Sequence, residues 1–441
     1  MMRSLYSGVA GLRTHQTKMD VIGNNIANVN TVGYKSQTVT FSDVLYQTTQ
    51  NASGANEQTG AGGTNAKQIG LGSTVSAINT KISETGGYQS TNNPFDLMIN
   101  GDQFFIVQNN GSNFFTKAGN FSVDTNGTLV TSQGYSVMGW LADADGVINI
   151  DNVSRINLYA PENKYASPIA TTACTVSGNI NKEDESFSVA GGTRSVNVSF
   201  YDSLGYKYQA TFQIAQDPSD QYSYSVSVSA VSCNGKMLAL DDTALAALLP
   251  ADTKLVFDEA TGTLDLDNSS ENGVLTFAAT SLGAALPSDI SVDFTTLTCR
   301  GTETSVDSTR GDLEYRNAGR AVGTMTEVSI GKDGKISATY DNGDQRVIAQ
   351  IAVASFINPS GLEKVGDNLF QATLNSGEFN GIGEDITAGG GYFATGVLEM
   401  SNVDLAAEFT DMITTQRGYQ ANSRIITVSD TMLEELINLK R

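Results

Sequence analysis

The two ends of the chain constrain it most, because both carry large apolar residues at a strict seven-residue spacing. Near the start, Leu5, Leu12, Met19 and Ile26 recur at that interval, with Val9, Ile22 and Val29 in the turns between. Near the end, Leu405, Met412, Tyr419, Ile426 and Leu433 repeat it, flanked by Phe409 and Leu436. That period lays a narrow apolar stripe along an α-helix, and a stripe sustained over several turns is the seam of a coiled coil. The spacing therefore predicts one amphipathic helix at each terminus. An isolated helix gains too little in water to hold itself, so each seam requires a partner helix. Ser401-Asn-Val-Asp404 reads as a capping box that opens the C-terminal helix.

Between the ends the pattern changes to β. Phe95-Asp-Leu-Met-Ile-Asn-Gly101 leads to Phe104-Phe-Ile-Val107, then to turn signals at Asn109-Asn-Gly111 and Asp124-Thr-Asn-Gly127. Residues 195–201, 206–214 and 222–231 alternate polar and apolar at period two, and 242–249 reads as a helical insert. A last β section, 323–356, carries turns at Lys332-Asp-Gly334 and Asp341-Asn-Gly343. Residues 36–90 are rich in Gly, Asn, Gln, Ser and Thr and read as a connecting segment. Within it, 51–63 lacks large apolar residues and reads as a loop.

A chain of 441 residues is too long for one core and implies two to four domains. The expected architecture is multidomain. Terminal α-helices (1–35 and 396–441) form a coiled-coil-like inner domain, joined through the segment 36–90 to two outer all-β domains nested in the chain. One is discontinuous (91–174 and 311–395) and the other is inserted within it (175–310).

Charge and chemistry exclude more than they assign. The net charge is −21, from 47 acidic and 26 basic residues, which argues against nucleic acid and anionic membranes as partners. No run of about 18 apolar residues exists, so no spanning helix is expected. The start also lacks a secretory apolar core, so work outside the cell would need another export route. Cys174, Cys233 and Cys299 lack metal-ligand spacing and are odd in number, giving neither a zinc site nor a disulfide framework. The single histidine, His15, sits beside a helix seam with no partner for a triad. Gly60-Ala-Gly-Gly63 and Gly381-Ile-Gly383 lack the phosphate-loop lysine. Asp124-Thr-Asn-Gly127 and Asp143-Ala-Asp-Gly146 lack the twelfth-position glutamate of a calcium loop. The acidic pairs Glu183-Asp-Glu185 and Asp241-Asp242 read as solvated loops. The residues assemble no catalytic, metal or cofactor site, and no enzyme is expected. Lys164 and Cys174 stand out only weakly. A cysteine that loses hydrogen sulfide becomes dehydroalanine, to which a lysine amine can add, but a buried thiol and a surface lysine are the plainer reading.

Three blocks resemble the axial proteins of the bacterial flagellum, the rod, hook and hook-associated subunits. The first is Ser7-Gly-Val-Ala-Gly-Leu-Arg-Thr-His-Gln16, continuing to Asn24-Asn-Ile-Ala-Asn-Val-Asn-Thr-Val-Gly-Tyr-Lys35, whose Asn24, Asn25, Asn28, Gly33 and Tyr34 match the family motif. The second runs from Asp96 to Gly139. The third runs from Leu398 through Gln416-Arg417-Gly-Tyr-Gln-Ala-Asn-Ser-Arg424. Rod proteins are shorter and leave no room for 175–310, so the hook subunit is the best match within the family.

The resemblance implies a structural subunit that polymerises with itself into a curved flexible tube, a universal joint between rod and filament. It implies export through the flagellar type III apparatus to a position outside the cell. The implied partners are the distal rod protein, the hook cap and the hook–filament junction proteins. It also implies, from hook proteins of spirochaetes, a lysinoalanine cross-link between subunits, for which Lys164 and Cys174 are the matching residues. A distal-rod or other hook-basal-body protein is the alternative. A β-rich surface adhesin is a remoter one, since it would need no helical seams.

Overall fold

The computed structural model describes residues 2–54, 60, 62–143, 146–188, 192–250, 252–283 and 286–439. The chain has an N-terminal helix, a C-terminal helix and a β-rich body. It divides into two compact units: Met1–Ala160 with Val328–Ala338 and Arg346–Arg441, and Pro161–Glu327 with Thr339–Gln345.

The first unit holds both long helices, α1 (Met2–Ala27) and α2 (Leu405–Asn438). The start of α2 differs from the capping box expected at Ser401. The cap is Asp404, whose carboxylate accepts from the N–H groups of Ala406 (2.9 Å) and Ala407 (3.3 Å). A carboxylate there satisfies free first-turn donors and meets the positive end of the helix dipole. Ser401 lies before the helix, where its hydroxyl accepts only from the Val403 N–H.

The segment expected to be a mere connection carries an antiparallel ribbon. Gln37–Asp43 pairs with Ser73–Thr80, and Tyr46–Gln50 pairs with Lys67–Gly70. Tyr46–Gln50 and Lys67–Gly70 are exposed throughout. Gln37–Asp43 and Ser73–Thr80 alternate half-buried and exposed positions, but the half-buried side chains are mostly small or polar, so little apolar alternation is written into the sequence. Part of the loop expected over 51–63 (55–59 and 61) lies outside the described residues, as do Ala144 and Asp145 of the Asp143–Gly146 turn.

Part of a larger sheet runs in the order Gln345–Ile351, Ser136–Leu141, Phe104–Asn109, Ser112–Thr116, Leu369–Gln371, Glu363–Gly366, with Lys335–Tyr340 next to the first of these. The expected Asn-Gly hairpin joins Phe104–Asn109 to Ser112–Thr116. Asn110 and Gly111 both take the positive φ (48° and 84°) that a tight hairpin demands. Phe104, Ile106, Phe115, Trp140 and Phe370 fill the core beneath. The Trp140 indole N–H donates to the carbonyls of Asp151 and Ile382, so its polar end is satisfied.

The second unit is all-β apart from short helices. Thr193–Tyr201, Lys207–Asp217 and Asp220–Cys233 form one antiparallel sheet, and the alternation seen in the sequence turns Val196, Val198, Phe200, Phe212 and Ile214 into the core. In the other sheet, Ala173–Ile180 runs between neighbours, parallel to Ile290–Asp293 and Leu297–Cys299 and antiparallel to Ser305–Arg310. The helical insert is Asp242–Ala246.

Candidate functional site

The helix pair is built on small residues. On α1 the buried positions are Gly8, Gly11, Thr14, Ile22 and Asn25, and on α2 they are Thr415 and Ser429. A Cβ on Gly11 would stand 2.5 Å from Asn422 Nδ2, one on Gly418 would stand 2.7 Å from His15 Cε1, and one on Gly8 would stand 3.2 Å from Ile426 Cγ1. Glycine inside a helix costs about 1 kcal/mol against alanine, and here the three let side chains of the facing helix, Asn422, His15 and Ile426, pack directly onto the backbone. Polar contacts tie the pair along its length. Ser4 and Ser429 hydroxyls meet at 3.4 Å, Lys18 pairs with Asp411 at 3.3 Å, and Asn25 donates to Glu408 at 2.8 Å. Burial, and then the Asp411 charge, raises the Glu408 pKa. His15 packs edge-on to Phe41 of the ribbon, with ring centroids 5.9 Å apart. Burial and the Lys18 ammonium lower its pKa, which keeps it a neutral packing residue.

The heptad residues sit around this contact, not at its centre. Leu5, Leu12, Met19 and Ile26 are half-buried, as are Met412, Ile426 and Leu433, while Leu405 and Tyr419 are exposed. Two further apolar clusters on α2, Phe409 with Ile413 and, further along, Val428, Met432 and Leu436, each spaced by one turn, stand about half exposed. Sequence reasoning missed the glycines. Their signal was available, since a Gly-x-x-Gly spacing inside an otherwise strong helical pattern needs a packing reason.

The motif residues converge where α1 meets the ribbon and the approach to α2. Asn25 uses its whole side chain. Its Nδ2 donates to the Gln37 carbonyl and Glu408, and its Oδ1 accepts from the Gln37 N–H (3.0 Å) and the Tyr34 hydroxyl (3.2 Å). Asn24 donates to Tyr34, and Asn28 caps back onto the Asn24 carbonyl. Gly33 has φ 67°, donates to the Glu399 carbonyl, and leaves only 2.8 Å between an added Cβ and the Ala118 nitrogen, so no other residue fits without strain. Lys35 and Glu399 form a salt bridge at 2.7 Å with side chains 1% exposed, and Lys35 also donates to the Glu84 carbonyl. Asn402 completes the latch, accepting from the Ser36 N–H and donating to the carbonyls of Lys81 and Glu84. Gln416 and Arg417 lie apart from it, exposed on α2.

Lys164 is exposed at the end of the short helix Pro161–Lys164. Cys174 is fully buried in Ala173–Ile180, its sulfur 3.9 Å from the Ser199 carbonyl oxygen, and burial pushes its pKa up to about 12. A thiol so placed stays protonated while the unit is closed. Among the described residues no group of acids, histidines and cysteines could hold a metal, and no helix is long and apolar enough to cross a membrane.

Four family models match the chain in order. They are the flagella basal body rod protein (residues 5–35), the flagellar hook protein FlgE/F/G D1 domain (98–179), the flagellar basal body protein FlaE D2 domain (171–312) and the flagellar basal body rod FlgEFG protein C-terminal (394–439). Among curated relatives, flagellar hook protein FlgE of Borreliella burgdorferi is 38% identical and that of Treponema pallidum 34%, each over 100% of both chains. Flagellar basal-body rod protein FlgG of Bacillus subtilis is 31% identical, again over 100% of both.

Proposed function

The chain belongs to the flagellar hook protein family, and from that premise we propose how this structural subunit of the bacterial flagellum, not an enzyme, builds the hook. The terminal helices of many copies bundle into a coiled-coil-like inner tube, and the β-rich parts form two outer, nested domains that slide past one another as the tube bends. The observation that carries the reading is the apolar surface left exposed on α2, by Phe409 and Ile413 at one place and by Val428, Met432 and Leu436 at another. Packing on α1 leaves these side chains about half exposed, so this apolar surface needs cover from another copy. Covering it contributes about 25 cal/mol for each Å² of apolar area removed from water. A contact between different faces of successive copies generates a helical polymer when its rotation does not close into a ring. Low charge and abundant Ser, Thr, Asn and Gly suit wet, exchangeable contacts on the outside.

In this reading the subunit leaves the cell through the flagellar type III export apparatus. It assembles outside under a hook cap, and joins the distal rod protein at one end and the hook–filament junction proteins at the other. Deleting 1–30 and the last forty residues tests it. Electron micrographs should then show no tubes, and tubes formed as readily by the truncated chain would overturn the reading. A distal-rod role is the second reading, favoured by the rod relative that matches over its whole length. Loss of the gene separates them, since a missing hook subunit leaves a rod without a hook.

A covalent lock between Lys164 and Cys174 of neighbouring copies is a further part of the proposal. Cys174 would lose its Cα proton and its sulfur as hydrogen sulfide, giving dehydroalanine. The Lys164 amine would then add to Cβ as a secondary amine. The burial of Cys174 means that elimination must follow a local opening of the second unit. Denaturing gels of purified assemblies should show a ladder that vanishes with Cys174→Ala. A wild type that runs only as monomer would exclude the lock.

A further inference from the structure

A cavity of about 150 Å³ lies against the motif latch, walled by Asn24, Asn28, Tyr34, Lys35, Lys364 and Asn368. Most of its polar walls are already committed. Asn24 donates to the Tyr34 hydroxyl, Asn28 to the Asn24 carbonyl, Asn368 to the Val32 carbonyl, and Lys35 to Glu399. Lys364 is the exception. Its ammonium donates to the Lys35 carbonyl at 2.9 Å and stands 4.7 Å from the centre of the Tyr34 ring. That leaves N–H donors for something else. Among the described residues no carboxylate lies within ion-pair distance of it. Asp367, which also lines the cavity, is exposed. Burial alone brings the Lys364 pKa down to about 8, whereas Lys35, on the same wall, has its glutamate. Lys364 is half-buried, and nearby the fully buried Lys117 also has no carboxylate within ion-pair distance among the described residues. Its pKa is also about 8, from burial and from the Lys35 charge, and it donates to the Gly101 carbonyl.

A half-buried ammonium with no counter-ion is costly, and it is out of character in a chain whose net charge is −21. The arrangement makes sense if an acid is supplied from outside. The cavity has room for one carboxylate-bearing side chain and not for a nucleotide or a folded segment. An acid-rich chain that packs against its own copies offers such groups at high local concentration.

We propose that the cavity is a receptor for an acidic side chain of a second copy of this chain, with Lys364 as its counter-ion. The proposal rests on the self-assembly reading and names one contact within it. In a polymer it would fix one copy's β sheet edge and motif latch against an acidic surface of the next.

Two measurements test it. The first titrates acetate into the full-length monomer and follows the Lys364 side chain in lysine-labelled carbon NMR spectra. A saturable shift of Lys364, absent for exposed lysines such as Lys164, is expected. No shift would overturn the pocket, whether or not the chain assembles. The second compares the critical concentration for assembly of wild type, Lys364→Met and Lys364→Arg. Met is expected to raise it about tenfold, the equivalent of 1.4 kcal/mol, while Arg recovers most of the loss. Urea unfolding of each variant monomer is measured alongside, so that any stability lost with the bond to the Lys35 carbonyl is read apart from the assembly effect. Acetate binding with unchanged assembly of Lys364→Met would overturn the second copy as the source of the acid.

Discussion

Replacing Lys35 with methionine is expected to destabilise the helix-bearing unit by about 3–5 kcal/mol, the cost of leaving a buried charge without its partner. Glu399 is 1% exposed, and one of its oxygens, Oε2, already lacks a hydrogen-bond partner. Removing Lys35 leaves Oε1 with the Gly86 N–H alone, at 3.1 Å. The Glu84 carbonyl loses a donor as well. Urea unfolding of the full chain measures the effect as a shift in the transition of the first unit. The double variant Lys35→Met, Glu399→Leu should recover much of the loss, because two apolar groups of similar volume often replace a buried pair at little cost. A single variant that unfolds with wild-type stability would show that the latch contributes no more than an exposed ion pair.

Gly11→Leu is expected to separate the helices. At this position the atom nearest to an added Cβ is the end of the Asn422 side chain, which can turn away, so Gly11→Ala should be nearly silent and gains helix propensity. A leucine reaches past Asn422 towards the α2 backbone and finds no space. Ser4→Cys with Ser429→Cys reports the result, since their hydroxyls lie 3.4 Å apart and cysteines there should oxidise to a disulfide in assembled material. Gly11→Leu should abolish that disulfide and tube formation together. Persistence of both would mean that close approach at Gly11 is not what joins the helices.

How much of this was legible beforehand depended on whether a residue's reason lay nearby in the chain. The terminal helices could be read because their stripes repeat locally, and the Asn110-Gly111 hairpin because its turn chemistry is contained in two residues. Val196, Val198 and Phe200 announced a half-buried strand by alternation alone. Ala173–Ile180 gave no such sign. Most of its residues are buried, and its parallel partners lie more than a hundred residues along the chain. The ribbon from Gln37 to Thr80 was equally quiet, because its half-buried positions, Gln37, Val39, Ser42, Ser73, Val75, Ala77 and Thr80, are mostly small or polar and give little apolar alternation to detect. The latch was half legible. Resemblance to flagellar axial proteins picked out Asn25, Gly33 and Tyr34, but their convergence with Glu399 and Asn402 needed the fold. The heptad stripe led to the right elements, while the small side chains buried between α1 and α2 within one copy, with most of the large heptad residues half-buried around them, needed the fold.

The central claim is that the exposed apolar clusters of α2 join one copy to the next. The most direct test places a charge in each cluster, as Ile413→Glu with Val428→Glu, and measures monomer stability and tube formation on the same preparations. Both side chains are more than half exposed, so the monomer should unfold as wild type does. In a subunit contact each glutamate would be buried without a partner, and no tubes should form at any attainable concentration. Tubes that form at the wild-type concentration would contradict the claim and move the assembly surface elsewhere on the chain.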